Sequence, residues 1–319
     1  MNRGEQVSHH PPVTGYSIWN DKYGIRLQGY NAQKASFTKT INVRQVGHAL
    51  LSFTPPAAPG SSATPDPETY LITLPSLHIE SLITGSPFVE LNGFTHISSS
   101  TGYIAKIDYS GRGWLSGKKN TFSAFLWKEG EGDEKSPLYT VDGQWNDNFV
   151  MREGKKGKEV ESYSAKTTKT TPLTVAPIES QDPYESRRAW RNVAASIQKG
   201  DMDAASHYKS RIENAQRALR KKEKEENREW ERRFFRRIDE NEDPEFLKLV
   251  KPISGSTKWP GVEADKTGGI WRFDASKAKD AKPPYHAEGV SGLGETEDGT
   301  SAPVSRTTTR DSDKQQPQV

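Results

Sequence analysis

The chain has 319 residues, 32% of them hydrophobic, and a mean hydropathy of −0.85, so part of it is too polar to pack into a core. Its net charge of +3 is too balanced to indicate nucleic acid as a partner. There is no cysteine for a disulfide framework, no N-terminal signal segment and no apolar run near the roughly 18 residues of a membrane span, so we expect a soluble intracellular protein.

The first predicted strand is interrupted by two histidines and two prolines at residues 9–12. Neighbouring side chains of a regular strand point to opposite faces, so His9 and His10 could not both contact one ligand from such a strand. Pro11 and Pro12 lack the backbone N–H that continues a ladder, and Pro11 favours an extended conformation at the preceding residue. We therefore predict that the strand breaks here and that both imidazoles turn toward one site.

Residues 17–151 have the pattern of a sheet. Apolar and polar residues alternate in short segments, most clearly at 25–30 and 103–109, and clusters of turn-forming residues separate these segments. Many short strands joined by regular turns predict an antiparallel meander, and hence a sandwich or barrel. Residues 55–67, rich in Pro, Ser, Ala and Gly, are predicted to form an enlarged hairpin loop.

Helical spacing replaces strand alternation after residue 172. Asp182 is a predicted N-cap, because a proline follows it and an acid stands three residues after it. The predicted helix ends at Gly200 and presents one apolar face, which consists of Trp190, Val193, Ala194 and Ile197.

A second helix is predicted from about Asp201 to Glu226 or beyond. Its apolar residues are spaced three and four apart, as in a packed helix, and are Ala205, Tyr208, Ile212, Ala215 and Leu219. Three aromatic residues that follow, Trp230, Phe234 and Phe235, are predicted to anchor this helix. The chain beyond residue 277 is polar and lacks periodicity, which predicts a disordered tail.

The second helix carries Lys209, Glu213 and Arg217 at intervals of four residues. Each such step turns the helix by about 40°, so the three side chains form one narrow stripe. Spacing alone leaves two interpretations open, an ion-pair ladder on an exposed face and a functional group of charges. Residues 187–237 hold 16 Lys and Arg against 8 Asp and Glu. This excess favours an anionic membrane over RNA, because no aromatic stacking platform interleaves the basic residues.

Alternatives also remain open for His9 and His10. They fit ordinary surface residues, or a metal site, although adjacent histidines rarely bind one ion and the other histidines show no ligand spacing. A phosphoesterase using the two histidines would lack a nucleophile or metal constellation. We therefore expect no enzyme activity, no metal and no cofactor.

Residues 5–12 resemble the fingerprint of the oxysterol-binding-protein-related family, and the resemblance continues at residues 27–31, 34–38, 86–91, 110–120 and 183–237. The chain is similar to short fungal members, which are little more than the lipid-binding domain. The resemblance implies a mainly antiparallel β fold, an incomplete barrel at residues 1–175, followed by a helical subdomain at 176–275 and a disordered tail at 276–319. Family members carry a lid, helices and the first strands before the fingerprint, so an N-terminally truncated chain is also implied.

The same resemblance implies a site for the headgroup of phosphatidylinositol 4-phosphate, formed by His9, His10, Lys209, Glu213 and Arg217. About 200 residues separate the histidines from the helical charges, so this site requires the two groups to converge. Lysine and arginine would bind phosphate, the arginine in a bidentate fork. A phosphomonoester favours the imidazolium form of a neighbouring histidine, so headgroup binding is expected to weaken as the pH rises through about 7.

Asn31 and Gln45 match polar positions that line the sterol tunnel of a yeast relative. An apolar cavity with one or two polar groups suits ergosterol, cholesterol or an oxysterol, each a rigid hydrocarbon body with a hydroxyl. The implied function is exchange of sterol for phosphatidylinositol 4-phosphate between membranes, by a cytoplasmic protein bound peripherally to the ER, Golgi or plasma membrane and their contact sites. The alternative is a truncated, non-transporting phosphoinositide sensor or scaffold on anionic membranes. Nucleic acid is not expected as a partner.

Overall fold

The chain divides into two compact units in a computed structural model that describes residues 2–38, 40–56, 65–81, 85–111, 117–172, 174–254, 267–282 and 285. The sheet unit comprises Met1–Thr174 and Trp230–Lys282. The helical unit comprises Val175–Glu229 and Pro283–Val319. Among the described helices, none is both long and apolar enough to cross a membrane.

In the described part of the sheet unit, thirteen antiparallel strands form the main sheet. They are β1 (Asn2–His9), β2 (Pro12–Asn20), β3 (Ile25–Phe37), β4 (Ile41–Val46), β5 (His48–Phe53), β6 (Glu68–Thr73), β7 (Ser76–Glu80), β8 (Phe88–Ser99), β9 (Tyr103–Ser110), β10 (Thr121–Lys128), β11 (Tyr139–Gln144), β12 (Asn148–Glu153) and β13 (Glu159–Ser164). A separate two-stranded sheet consists of β14 (Phe235–Ile238) and β15 (Ile270–Phe273).

The main sheet is a meander in which two long strands are each interrupted once, one between β4 and β5 and the other between β6 and β7. β3 pairs with both β4 and β5, and β8 pairs with both β7 and β6, so each of these pairs occupies one position in the sheet. Gly47 separates β4 from β5 with φ of +122°, and a Cβ there would lie 2.1 Å from the carbonyl oxygen of Tyr30. Only glycine fits this conformation and this approach. The predicted antiparallel meander is thus confirmed.

One face of the sheet, here called the covered face, packs against the C-terminal segment of the sheet unit, described at residues 230–254 and 267–282. Residues opposite each other in a ladder share a face, and the side chains of Val13, Tyr30, Ala32 and Val46 are almost fully buried on this one. Gly15, paired with Tyr30, faces Phe235, whose ring would lie 2.7 Å from an added Cβ. The predicted helical subdomain at 176–275 therefore differs from the structure, because β14, β15 and helix α4 (Pro244–Val250) pack with the sheet.

A buried polar chain ties this segment to the sheet. Asp243, the N-cap of α4, accepts a hydrogen bond from Nε of Arg272 at 2.7 Å, and Nη2 of Arg272 lies 2.9 Å from Nε2 of His48. A guanidinium can only donate, so Nε2 of His48 accepts. Burial, reinforced by the charge of Arg272, holds the pKa of His48 well below its usual value, and the imidazole is neutral. Its ring stacks on Phe246 with centroids 4.6 Å apart.

The helical unit contains α1 (Ser186–Ala189), α2 (Arg191–Gln198) and α3 (Met202–Glu225). The predicted N-cap at Asp182 is wrong, because helix begins at Ser186 and the Asp182 carboxylate instead accepts the N–H groups of Tyr184 and Tyr285. The predicted second helix is present, and Asp201 caps it by accepting the N–H of Ala204 at 2.9 Å. Val193, Ala205 and Ile212 form the buried cluster between α2 and α3.

Three further predictions differ from the structure or fall outside it. The three aromatic residues that were predicted to anchor α3, Trp230, Phe234 and Phe235, belong to the sheet unit. The enlarged loop at 55–67 connects the paired strands β5 and β6, and its residues 57–64 lie outside the described part. Most of the tail at 276–319 also lies outside the described residues, and helix α5 (Ala275–Asp280) includes its start.

Candidate functional site

His9 and His10 lie at the tip of the β1–β2 hairpin. His9 ends β1 and pairs with Pro12, so that His10 and Pro11 form the turn, with a cis peptide bond between them. Both histidines are exposed, and their ring centroids lie 4.4 Å apart. Nδ1 of His9 lies 3.4 Å from the amide nitrogen of Gln6. The hairpin therefore presents two adjacent imidazoles to solvent.

A β-bulge at Val7 determines which way His9 faces. Before the bulge Glu5 pairs with Gly15, and after it His9 pairs with Pro12. Gly15 is on the covered face, whereas Pro12 neighbours the covered-face residue Val13 and therefore points the other way. Glu5 and His9, four positions apart, would share a face in a regular strand. The extra residue places Glu5 on the covered face and His9 on the opposite face.

The C-terminal segment holds this bulge in place. Arg232 donates from Nε to the carbonyl oxygen of Val7 at 2.7 Å. The carboxylate of Glu5 accepts the backbone N–H of Arg233 at 2.6 Å and of Phe234 at 2.9 Å. Burial raises the pKa of Glu5, and the hydrogen bonds from these backbone amides oppose that shift. The sequence analysis assigned no individual role to Glu5 or Arg232. An acid inside a predicted strand is a signal for Glu5, and no sequence pattern indicated Arg232.

The opposite face also carries both predicted sterol-contacting amides. Asn31 pairs with Thr14, and Gln45 pairs with Gln33, which places all four residues on the face of His9. Asn31 donates to the amide oxygen of Gln45 at 2.7 Å, and Gln45 donates to the carbonyl oxygen of Pro75 at 2.7 Å. Pro75 lies in the interruption between β6 and β7, so this chain of amides also bridges a gap in the ladder.

Beside these polar residues lies an apolar patch on the same face, here called the apolar rows. Each row crosses the four strands β3, β4, β7 and β8, because directly opposite residues line up across the ladders. The side chains are half-buried or exposed, up to 75% for Phe37. The two rows are Ala35, Val43, Leu77 and Leu91, and Phe37, Ile41, Ile79 and Val89. One sheet face thus presents imidazole and amide groups next to aliphatic and aromatic groups, which suits an amphipathic ligand.

The predicted charge stripe on α3 forms an ion-pair ladder. Nζ of Lys209 lies 2.8 Å from Glu213, and a guanidinium nitrogen of Arg217 lies 3.6 Å from the other oxygen of Glu213. The hydrogen bond from Lys209 lowers the pKa of Glu213, so this carboxylate is ionised at neutral pH. Lys209 and Arg217 are 55% and 70% exposed. Their cationic groups are therefore accessible to an anionic ligand.

The candidate residues belong to different units. His9, His10, Asn31 and Gln45 are in the sheet unit, and the stripe of Lys209, Glu213 and Arg217 is in the helical unit. Convergence of the histidines with the stripe stays a prediction. Within the described residues, no group of three or more His, Cys, Asp or Glu side chains could hold a metal ion.

Comparison with known proteins identifies relatives along most of the chain. The sequence model of the oxysterol-binding protein family matches residues 3–197. Protein kes1 of Schizosaccharomyces pombe is 42% identical over 75% of this chain and 59% of its own length. The probable transporter efuK of Hormonema carpetanum is 38% identical over 88% of this chain and 38% of its own length. The chain thus spans less than two thirds of either relative.

Solved structures share the fold at low sequence identity. The Osh1 ORD domain in complex with cholesterol aligns with a TM-score of 0.58 and 18% identity, over 88% of this chain and 64% of that chain. The Osh3 ORD of Saccharomyces cerevisiae in complex with PI(4)P aligns with a TM-score of 0.52 and 20% identity, over 76% of this chain and 63% of that chain. The antiparallel sheet followed by helices is therefore a known architecture.

Proposed function

Because this chain belongs to the oxysterol-binding protein family, we propose that it is a lipid transfer protein that exchanges a sterol for phosphatidylinositol 4-phosphate between membranes. The observation that carries this proposal is the face of the sheet that presents His9, Asn31 and Gln45 beside the apolar rows. The complexes of the related ORD domains with cholesterol and with PI(4)P support the choice of ligands.

The phosphoinositide headgroup is assigned to His9, His10, Lys209, Glu213 and Arg217. Protonated imidazoles, an ammonium and a guanidinium are charge-assisted donors to a phosphomonoester. Glu213 orients the two cations on either side of it and can accept hydrogen bonds from inositol hydroxyls. The charges of the stripe are paired with each other in the free protein, so headgroup binding replaces interactions within the ladder.

The sterol is assigned to the face that carries Asn31, Gln45 and the apolar rows. A sterol buries a rigid hydrocarbon body, and this burial contributes about 25 cal/mol per Å² of apolar surface. Its hydroxyl needs one polar partner, and the Asn31–Gln45 chain offers amide groups on the same face. Because this chain also satisfies the carbonyl of Pro75, a sterol hydroxyl would join an existing network and leave that bond intact.

Transfer of this kind involves no covalent chemistry. Sterol and phosphoinositide would compete for one binding region, so that loading one lipid releases the other. A gradient of the phosphoinositide between two membranes would then set the direction of sterol movement. We place the protein in the cytoplasm, peripherally on the ER, Golgi or plasma membrane and their contact sites.

Sterol transfer between two liposome populations tests the proposal. The chain should move a fluorescent sterol faster when the acceptor liposomes contain phosphatidylinositol 4-phosphate. His9→Ala/His10→Ala should lose this acceleration, and the parent should bind the phosphoinositide more weakly at pH 8 than at pH 6. His207→Ala is the matched control, because this exposed histidine is two positions, about 200°, around α3 from Lys209.

Two results would contradict this proposal. Equal acceleration by the parent and by the His9/His10 variant would remove the headgroup assignment. If the parent binds phosphoinositide liposomes but extracts neither lipid, the transfer function is wrong. The second candidate function, a non-transporting phosphoinositide sensor or scaffold, would then apply.

A further inference from the structure

The outer side of α2 exposes an apolar stripe that the packing of the helical unit does not use. α1 and α2 run on from each other, since the N–H of Trp190 bonds to Ser186 and the N–H of Ala194 bonds to Trp190, both at 3.0 Å. At 100° per residue, Trp190, Ala194 and Ile197 fall within about 60° of one another. Trp190 is 40% exposed and Ile197 is 55% exposed.

The buried side of the same helix is different. Ala189, Val193 and Ser196 are at most 7% exposed and face the interior of the helical unit. The exposed stripe is therefore a second apolar surface, in addition to the one that packs. Met202, the first residue of α3, is also 65% exposed, shortly after α2 ends.

The charges along this helix have one sign. From Ser186 to Gly200 the chain has three arginines and a lysine and no acidic residue. Arg188 donates to the backbone carbonyl of Gln181. Arg187 lies in α1, three positions before Trp190, and Arg191 falls at about 100° from Trp190 around the helix, on one flank of the stripe. Lys199 lies at its C-terminal end.

The acids next to this segment in the chain are Glu185, directly before α1, and two residues at the start of α3. Asp201 is the N-cap of that helix, where its carboxylate accepts the N–H of Ala204, and Asp203 is in its first turn. Both are therefore placed to stabilise the start of α3. They do not interrupt the basic flank of α2.

We propose that the stripe of Trp190, Ala194 and Ile197, with Arg187, Arg191 and Lys199, docks the protein onto the surface of an anionic lipid bilayer. Tryptophan favours the interfacial region of a membrane, where its ring is apolar and its N–H is hydrated. Arginine and lysine are attracted to anionic headgroups, and together these features define an interfacial amphipathic helix. A stripe of three side chains is small compared with the roughly 800 Å² per partner of a stable protein interface, which favours a bilayer over a protein.

Vesicle flotation of the full chain tests this proposal. Vesicles of phosphatidylcholine, with or without phosphatidylserine and free of sterol and phosphoinositide, separate this surface from the lipid-binding face of the sheet unit. The parent should bind the phosphatidylserine vesicles more strongly than the neutral ones. Ile197→Glu should reduce this binding about tenfold, because it places a charge and a repulsive carboxylate at the bilayer surface.

Val160→Glu is the matched control, because Val160 is a similarly exposed aliphatic residue, 48% accessible, on β13 of the sheet unit. It should bind as the parent does. Trp190→Ala should also weaken binding, and circular dichroism of each variant checks that the helices remain. Ile197 is more than half exposed, so Ile197→Glu is not expected to disturb the packing of the helices. The test therefore remains valid even if Trp190→Ala unfolds.

Parent-like binding by Ile197→Glu, or failure of the parent to bind phosphatidylserine vesicles, would overturn the proposal. Self-association of the parent that Ile197→Glu abolishes, without vesicle binding, would also overturn it and assign the stripe to a second copy of the chain. None of these outcomes depends on sterol or phosphoinositide transfer. The docking surface and the proposed function can therefore fail independently.

Discussion

The carboxylate of Glu5 accepts the backbone N–H of Phe234 at 2.9 Å, across a sequence separation of 229 residues. Its other oxygen accepts the N–H of Arg233. The strand that leads to the two histidines is thus fastened to a segment near the other end of the described chain. The stability of the sheet unit and the geometry of its candidate site therefore depend on the same contacts.

We expect Glu5→Ala to destabilise the sheet unit by about 1–3 kcal/mol, because it leaves two partly buried N–H groups without their acceptor. Glu5→Gln keeps one acceptor oxygen and should cost less. Urea unfolding followed by circular dichroism measures both values. Glu80→Ala, a change of a half-exposed acid on β7, serves as the control. Equal stability of Glu5→Ala and the parent would contradict the proposed clamp.

Arg232→Met should weaken headgroup binding through the bulge at Val7. Without the guanidinium, the Val7 carbonyl loses its 2.7 Å hydrogen bond, and the register that turns His9 to the opposite face is less favoured. A hydrogen bond to a charged group contributes about 1.5–3 kcal/mol, which corresponds to a loss of at least tenfold in the population of this register. Phosphoinositide binding and the NMR signals of His9 report this change. Unaltered binding with an unaltered spectrum would show that Arg232 only stabilises the fold.

The stability of the sheet unit should fall as the pH drops below about 6.5, the usual pKa of histidine. Burial lowers the pKa of His48 well below that value, and burial with the charge of Lys106 lowers the pKa of His96 to about 4. Both groups stay neutral in the folded chain while the unfolded chain takes up protons, so stability present above pH 6.5 is lost as the pH falls through the folded pKa values. Unfolding free energies between pH 7 and pH 4 measure the slope.

His96→Gln should flatten this pH dependence, because glutamine does not titrate. His207→Gln, which changes an exposed histidine of α3, should leave it unchanged. A slope that persists in full after substitution of both His48 and His96 would show that other groups bind the protons.

Asp243→Asn should destabilise the sheet unit by about 3–5 kcal/mol, because it leaves the guanidinium of Arg272 buried without its carboxylate. Asparagine retains the ability to cap α4, so the change isolates the charge. Asp243→Asn/Arg272→Met, which removes both charges, should be more stable than the single Asp243→Asn variant. Thermal and urea unfolding test this order, and the reverse order would show that the ion pair is not the source of the stability.

Lys209→Ala and Arg217→Ala should each weaken binding to phosphatidylinositol 4-phosphate liposomes about tenfold, because each removes a charge-assisted contact to phosphate. Arg217→Lys should recover only part of the affinity, since lysine lacks the bidentate fork. Lys221→Ala is the control, because Lys221 is a more exposed cation on the same helix, 80% accessible, in an ion pair with Glu225. Equal losses in the control and in the two test variants would indicate a general effect of charge on membrane attraction.

Local patterns in the sequence predicted what local physics decides. Alternation and turn residues identified the meander, and the spacing from Ala205 to Leu219 identified α3. The contacts that close the sheet unit lie outside such patterns. β14 and β15 have only four residues each, which is too few to show an alternating pattern. They pair across the long interval from Ile238 to Ile270, which no local pattern reveals.

The turn at the two histidines was predictable from the sequence, and the contacts that support it were not. Adjacent imidazoles beside prolines predicted a turn that brings both rings together, and the rings are in contact. The bulge at Val7 and the guanidinium of Arg232 leave no pattern in the sequence. A bulge is a single residue without a partner in the ladder, and the arginine that bonds to its carbonyl lies 225 positions away. Asp182 had the sequence of an N-cap, yet its carboxylate binds Tyr285, a contact that only the folded chain supplies.

The main-sheet strands connect only to close neighbours, so each hairpin of the meander can assemble as soon as its second half leaves the ribosome. The β1–β2 hairpin is synthesised before residues 232–234, which later supply the partners of the Glu5 carboxylate and the Val7 carbonyl. During synthesis the histidine turn can therefore form before the contacts from residues 232–234 that hold its strand in register. A nascent chain halted before Arg232 would present the imidazoles on a strand whose register is still free to slip.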